Sequence, residues 1–422
     1  MKPLFAIGVH LILVVGLYVV ARELRHREPV PPTGQLLETW DVRLYWDIAK
    51  RGYSWHEDGQ SNVAFFPAFP YIWRYTSANV YGISGLNVLF FVAGALLLAR
   101  AMSLNSKELM LSLSMPSLMF MYVPYSEALF FLFSAVALYG YIRRRPDTNA
   151  KPQPGMGRVV RIWEASPHLT AAGLFLCCVT RAASNIFVPA IFITEWLSEG
   201  GRIRRAGANV LAAAAGVFLV AFVQHQETGE WLGFLETQRN WGHYLQWPQL
   251  PLMAWGGRQY LDGSALIAGL LAGAFLCRIA WRRVFRKKQE SNPAFVFSIA
   301  YLFGITLLVV CFGGGEIHSL NRYCFATAFW TVAGICVLRQ TTFSWKRLLG
   351  LFVLCVMILS LFDMTDRSRL ETLAVSAYLS SWLFLCHQSE RWSTAAFYGV
   401  YSLNVLIQVR LLDGFLSGHW VA

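Results

Sequence analysis

Apolar residues fall in long runs along this chain. Thirteen stretches are dominated by Leu, Val, Ile, Phe and Ala: roughly 4–21, 83–100, 109–123, 126–142, 168–180, 184–197, 207–223, 264–281, 294–312, 323–338, 347–362, 371–387 and 394–411. A helix needs about 20 such residues to cross a bilayer, and some of these runs are shorter than about 17. The pattern therefore predicts an all-α polytopic membrane protein with about 11–13 transmembrane helices, built as one integral membrane domain over 1–422. No internal repeat is evident. The first run has a single preceding lysine, Lys2, and no small-residue cleavage site, so it reads as a retained helix rather than a signal peptide.

Composition agrees with the pattern. Of 422 residues 56% are hydrophobic and 14% charged, against about 25% charged in soluble domains. The net charge of +12 would point to nucleic acid in a soluble protein. Here twenty of the 36 lysines and arginines sit in the short polar segments 100–108, 143–167, 198–206, 282–293, 339–347 and 388–393. All of these are cytoplasmic if the N-terminus is, as the positive-inside rule requires. The charge thus belongs to loops, and nucleic-acid binding is excluded. Arg22, Arg25 and Arg27, directly after the first run, go against the rule. The eight cysteines lie in or beside apolar runs with no CxxC pair, and read as small apolar fillers.

The same orientation leaves two long outer segments, 22–82 and 224–263, the second without a lysine and rich in Trp, Gln and Gly. Aromatic-rich loops on one face of a bundle are where a site for an amphipathic substrate is built. On a helical wheel, residues 38–51 place Trp40, Leu44, Tyr45 and Ile48 on one arc, and Arg43, Asp47 and Lys50 on another. Asp41 falls inside the apolar arc. Two readings of it stand: an N-cap for this helix, or a general base, a role suited to a partly enclosed carboxylate. Asp47 reads first as a surface carboxylate paired with Arg43 four residues earlier. Downstream, His56-Glu57-Asp58 imitates a metal cluster, but no second histidine is near and no DxD occurs, so no metal site is expected, although a divalent ion is not excluded. The paired prolines of Asn62-Val-Ala-Phe-Phe-Pro-Ala-Phe-Pro70 mark a bend at the membrane surface. Asp47, His56 and Asn62 are candidate substrate contacts beside Asp41.

At this point the chain resembles the PIG-V mannosyltransferase family. Trp40-Asp41, Tyr45, Ile48-Ala49, Gly52-Tyr53 and Ala64-Phe65-Phe66-Pro67 through Pro70 are similar to its opening signature. Tyr125-Ser126-Glu127-Ala128-Leu129-Phe130, then Thr228-Gly229-Glu230 with Gln238 and Trp241-Gly242, then Ser319 with Arg322-Tyr323, resemble later family elements in the same order. The match around Thr180-Arg181-Ala182-Ala183-Ser184-Asn185 is partial. The resemblance spans about 38–325.

It implies a GT-C-type bundle that transfers a sugar, typically mannose, from a polyprenyl-phosphate donor to a lipid-linked or cell-envelope hydroxyl on the extracytoplasmic face, with inversion. The partners are then the polyprenyl-phosphate sugar donor, a lipid or glycan acceptor and membrane lipids, with no nucleic acid and no cofactor beyond the lipid-linked sugar as co-substrate. Asp41 is the expected base. Arg322 and Arg181 are expected to face the leaving phosphate, for which guanidinium forks are suited; interfacial snorkelling is the alternative reading of each. Glu127 is either a structural acid at a helix N-terminus, an acceptor for sugar hydroxyls, or a partner for Arg322 or Arg181. Gln238, Arg239, Trp241 and His243 line an acceptor groove or belong to an interfacial aromatic belt. His318, near Gly313-Gly-Gly-Glu316, and Tyr323 complete the candidate substrate contacts. A polyprenyl-linked lipid flippase or transporter is the alternative, given the charges within apolar runs. With no N-x-S/T sequon and no dilysine tail, the expected location is the plasma membrane of a prokaryote, with the endoplasmic reticulum as the alternative.

Overall fold

The computed structural model describes residues 2–24, 34–56, 61–143, 168–254, 259–290, 292–362, 366–387 and 389–421. Glu57 and Asp58, two of the three residues of the imitation metal cluster, lie outside these, as do Arg25 and Arg27. Each of the thirteen apolar runs is helical over part or all of its length, and among the described residues extended pairing is limited to three isolated bridges. The helices are α1 (Pro3–Leu24), α2 (Gly34–Leu37), α3 (Asp41–Arg51), α4 (Ala68–Thr76), α5 (Val80–Ala101), α6 (Ser106–Leu113), α7 (Glu127–Ile142), α8 (His168–Cys178), α9 (Phe187–Leu197), α10 (Ile203–Thr228), α11 (Gly233–Asn240), α12 (Gln259–Phe285), α13 (Pro293–Phe312), α14 (Leu320–Phe325), α15 (Ala328–Gln340), α16 (Trp345–Leu359), α17 (Asp366–Ser381) and α18 (Glu390–Leu416). Short 3-10 turns run over Pro116–Tyr122, Ala182–Ile186 and Trp382–Cys386.

Among the described residues six helices are long and apolar enough to cross a membrane, and a seventh span is the pair Pro116–Tyr122 and Glu127–Ile142, bent by 107°. The other expected spans are helices shorter than 18 residues or are interrupted. Side-chain caps set many of the starts. Asn105 and Glu108 form a capping box at α6. Asn292 caps α13 ahead of Pro293, and Ser344 caps α16.

Loop contacts sort the connections onto two faces. On one face Glu199 pairs with Glu290, Arg339 reaches Glu108 and the Met102 and Ser103 carbonyls, and Phe343 meets Cys386. Among the described residues, the basic clusters of 100–108, 198–206, 282–290, 339–347 and 389–393 lie on this face; residues 144–167 lie outside the described ones. On the other, Tyr53 meets Glu227, Phe66 packs on Phe234, Leu252 bonds Leu361 and Met253 bonds Gly315. Both long outer segments lie there, and both are partly helical: 22–82 carries α2, α3 and α4, and 224–263 carries α11.

Three helical runs are interrupted near this second face, and each interruption is satisfied by side chains, as backbone at membrane depth requires. The buried Asn87 amide donates to the Val123 and Tyr125 carbonyls at 2.6 and 2.8 Å. Thr180 and Ser184 hydroxyls take the carbonyls of Leu176 and Arg181. The Tyr301 hydroxyl donates to Tyr323 and the Thr327 hydroxyl to Cys324. These three breaks build the site.

Candidate active site

Glu127 opens α7 directly after the first break, Arg181 stands in the second, and Arg322 lies on α14, before the third helix resumes. All three side chains are buried and converge. Glu127 Oε1 accepts from Arg322 Nε at 2.8 Å and Nη2 at 2.7 Å, and lies 2.6 Å from Arg181 Nη1. Arg322 extends its remaining nitrogen, Nη1, to Asp41 Oδ2 at 3.1 Å. Four charges thus sum to zero in a site drawn from four separate parts of the chain.

Aromatic faces complete the enclosure. The Arg322 guanidinium lies 4.8 Å from the Phe120 ring and 4.7 Å from that of Tyr125. Arg181 lies 5.0 Å from the Tyr323 ring and 6.0 Å from Phe130. Such contacts favour a desolvated cation. Two carboxylate oxygens remain open. Asp41 Oδ1 takes no hydrogen bond from a described residue, and the Asp41 side chain is 23% exposed. Glu127 Oε2 is buried and without a hydrogen-bond partner among the described residues.

The backbone is strained beside both outer members of the cluster. Trp40 at φ 56° precedes Asp41, and Ser319 at φ 63° leads into α14. A non-glycine residue held there costs about 1–3 kcal/mol, and such residues gather at functional sites. Trp40 is held against Trp420 at 5.0 Å. On the Arg322 side, Asp262 Oδ1 receives both the backbone N–H of Asn321 at 2.9 Å and its side-chain amide at 2.7 Å, while Ser117 donates to Asn321 at 2.9 Å. Asp262 thereby fixes the first turn of a six-residue helix too short to hold itself.

Several expectations are corrected. Asp41 is the first residue of α3 and makes no cap hydrogen bond; Trp40 occupies the N-cap. The buried face of α3 is Val42, Tyr45, Ile48 and Ala49, turned away from Trp40 and Leu44 because Tyr45 hydrogen-bonds Ser126 at 2.7 Å and packs on Phe65 and Phe69. Asp47 pairs with Arg51 at 3.5 Å rather than with Arg43, whose Nε is taken by the Glu38 carbonyl. Asn62 is buried and fully engaged: its amide donates to Asp47 and to the Gly52 carbonyl, and its oxygen accepts from Ser54. Asp47 and Asn62 therefore hold the outer segment together. His56 is exposed and joins Ser61 only through its backbone.

The remaining candidates form a second group on the same face. Gln238 and His243 are 2.7 Å apart, Trp241 lies 6.3 Å from Phe65, and His318 lies 3.2 Å from Glu316. Burial lowers the proton affinity of both His243 and His318, with Glu316 pulling the other way. Among the described residues no three His, Cys, Asp or Glu side chains are grouped to hold a metal ion. Phe120, Asp262 and Asn321 were not anticipated. An acid opening a 27-residue apolar helix was the available signal for Asp262.

Neither a family model nor a curated protein sequence matches the chain, so the family resemblance stands on its motifs. A solved structure similar in fold is that of ArnT from Cupriavidus metallidurans bound to undecaprenyl phosphate, at 13% identity and a TM-score of 0.49, over 97% of this chain and 77% of that one.

Proposed function

We propose that this protein is an integral membrane glycosyltransferase of the GT-C type, moving a sugar from a polyprenyl-phosphate donor to a hydroxyl acceptor. The observation that carries the reading is the enclosed Asp41–Arg322–Glu127–Arg181 cluster. It joins a partly exposed carboxylate to two buried guanidinium groups on the face opposite the basic loops. Inversion at C1 needs three things: a base for the acceptor proton, charge stabilisation for the departing phosphate, and groups to orient the sugar.

Asp41 Oδ1 is open to an acceptor hydroxyl and takes its proton as the acceptor oxygen bonds C1. The C1–O bond to phosphate breaks, and the electron pair leaves on the phosphate oxygen. Arg322 and Arg181 stabilise that developing charge. Their hydrogen bonds to Glu127 keep both forks aimed in advance, and Glu127 Oε2 receives a sugar hydroxyl. Mannose is the sugar implied by the motif resemblance, and the acceptor is a lipid-linked or cell-envelope hydroxyl. By the positive-inside rule the site faces the extracytoplasmic side of a plasma membrane, with the N-terminus in the cytoplasm.

The test follows mannose transfer from polyprenyl-phosphate-mannose by purified protein over a panel of acceptors. Asp41→Asn should lose at least about a hundredfold in rate. Near wild-type transfer by that variant overturns Asp41 as base. Absence of transfer by the wild type over the whole panel moves the weight to a lipid flippase.

A further inference from the structure

Two segments far apart in sequence meet beside Asp41. Helix α18 ends at Leu416, and the chain turns back on itself there. The His419 N–H reaches the Gly414 carbonyl at 3.0 Å, and the Gly418 N–H reaches that of Phe415 at 2.9 Å. Gly418 takes φ 77°, the left-handed conformation that such a helix end requires. The turn brings the next residues onto α2 and α3. Val421 is buried in the same apolar cluster as Leu37, Val42 and Tyr45, and the Trp420 ring stands edge-on to Trp40 at 5.0 Å. Helix α18 is itself moored to α1, where Asp413 and Arg22 pair at 3.5 Å with both side chains buried.

This helix end bears on both partners of the Asp41–Arg322 pair. Trp40 is 41% exposed, so the core does not hold it, and Trp420 is its one ring contact among the described residues. It nevertheless keeps φ 56° and ψ −134°, a conformation that a bulky residue holds only when its surroundings impose it. The Trp40 backbone sets where α3 begins, and so where the Asp41 carboxylate meets Arg322 at 3.1 Å. Five residues before Trp420, Phe415 stands edge-on to Tyr125 at 5.7 Å, and Tyr125 is a ring on which the Arg322 guanidinium rests. The Trp420 indole N–H is buried without an acceptor among the described residues. Its hold on Trp40 therefore comes from the ring and not from a hydrogen bond.

We infer that Trp420 is a positioning residue for transfer: its ring holds Trp40 in the strained backbone conformation that aims the Asp41 carboxylate. The inference rests on the transfer reading above, with Asp41 as base. Without that ring Trp40 relaxes toward negative φ, the first turn of α3 rotates, and Asp41 Oδ1 moves off the acceptor hydroxyl. Arg181 and Arg322 keep each other through Glu127 whatever Trp40 does. The grip on the donor phosphate is therefore spared, and the loss falls on the proton-transfer step.

Purified full-length variants, assayed with polyprenyl-phosphate-mannose over the acceptor panel, test this alongside amide hydrogen exchange, which needs no turnover. Trp420→Ala should lose about tenfold in kcat while the donor KM stays within about twofold. Trp420→Phe keeps a ring and should recover at least about half of the wild-type kcat. Combined with Asp41→Asn, Trp420→Ala should lower the residual rate no further, because the group it aims is gone. Exchange over residues 40–45 should quicken at least about fivefold in Trp420→Ala, with α6 exchanging as in wild type. The inference is overturned by an unchanged kcat, by a rise in donor KM in place of a loss of kcat, by a loss that multiplies with that of Asp41→Asn, or by unchanged exchange over 40–45. Wild-type transfer by Asp41→Asn alone overturns the transfer reading. A loss of about a hundredfold in that variant, with wild-type transfer by Trp420→Ala, overturns this inference and leaves the transfer reading standing.

Discussion

Replacing Glu127 by Gln isolates the electrostatics of the cluster with almost no change in volume. In the native protein one fully buried oxygen takes three guanidinium nitrogens at 2.6–2.8 Å. Glutamine keeps an acceptor oxygen, removes the charge and turns an amide N–H₂ toward two cations. Breaking one side of a buried ion pair costs about 3–5 kcal/mol. Part of that is offset here. Arg322 retains Asp41, and both guanidinium groups keep aromatic faces, together worth about 1–2 kcal/mol. The expected loss is therefore about 2–4 kcal/mol. It should be read from reversible denaturant unfolding of detergent-solubilised protein, combined with Arg181→Gln in a double-mutant cycle. A coupling energy of about 2 kcal/mol between the two sites is expected, within the range for directly contacting residues. A coupling below about 0.5 kcal/mol would refute the reasoning, because it would mean that Glu127 and Arg181 do not share their charge.

Asp262→Ala should lower transfer about tenfold, with full-length protein still folded by circular dichroism, because Asn321 loses its anchor and Arg322 its aim. Asp262→Asn, which keeps one acceptor oxygen, should recover part of the loss; equal activity in all three would show that α14 holds itself. Gly173→Ala should destabilise by about 1–3 kcal/mol, measured as a thermal-unfolding shift. A Cβ there would lie 2.4 Å from the Ala137 backbone nitrogen and would force α7 and α8 apart. The Glu108–Arg339 pair gives a pH dependence. Burial alone would raise the Glu108 carboxyl, but hydrogen bonds from Arg339 and Asn105 outweigh it and hold the group below 4.5. A depressed carboxyl stabilises the fold above the unfolded value and loses that contribution as pH falls through the lower folded value. Arg339→Gln should therefore cost stability at about pH 6 and cost progressively less as pH is lowered below about 4. A constant cost over that window would show that the pair does not carry the shift.

Most of the architecture was legible because hydrophobic run length is a local quantity. All thirteen runs became helix, and the capping residues Asn105, Asn292 and Ser344 stand in the sequence where the helices begin. What the runs concealed were the breaks. The stretches 109–123 and 126–142 read as two ordinary spans, yet they form a sharply bent pair whose carbonyls depend on Asn87, more than thirty residues upstream. The same distance problem misassigned Asp47: Arg43 and Arg51 are both four residues away, and only the Glu38 carbonyl, by taking Arg43, decides between them.

The site divides the same way. The sequence alone determined that Asp41, Glu127, Arg181 and Arg322 are charges out of place in apolar or aromatic surroundings, since each would be costly there without a partner. It also left three possible roles for Glu127. Only the tertiary structure decided among partners, bringing Glu127 against both Arg181 and Arg322 across separations of up to 195 residues. It also recruited Asp262 and Asn321 to hold Arg322. Helix formation is settled within a few turns of chain. Charge compensation in a low-dielectric interior is settled by which ends of which helices meet.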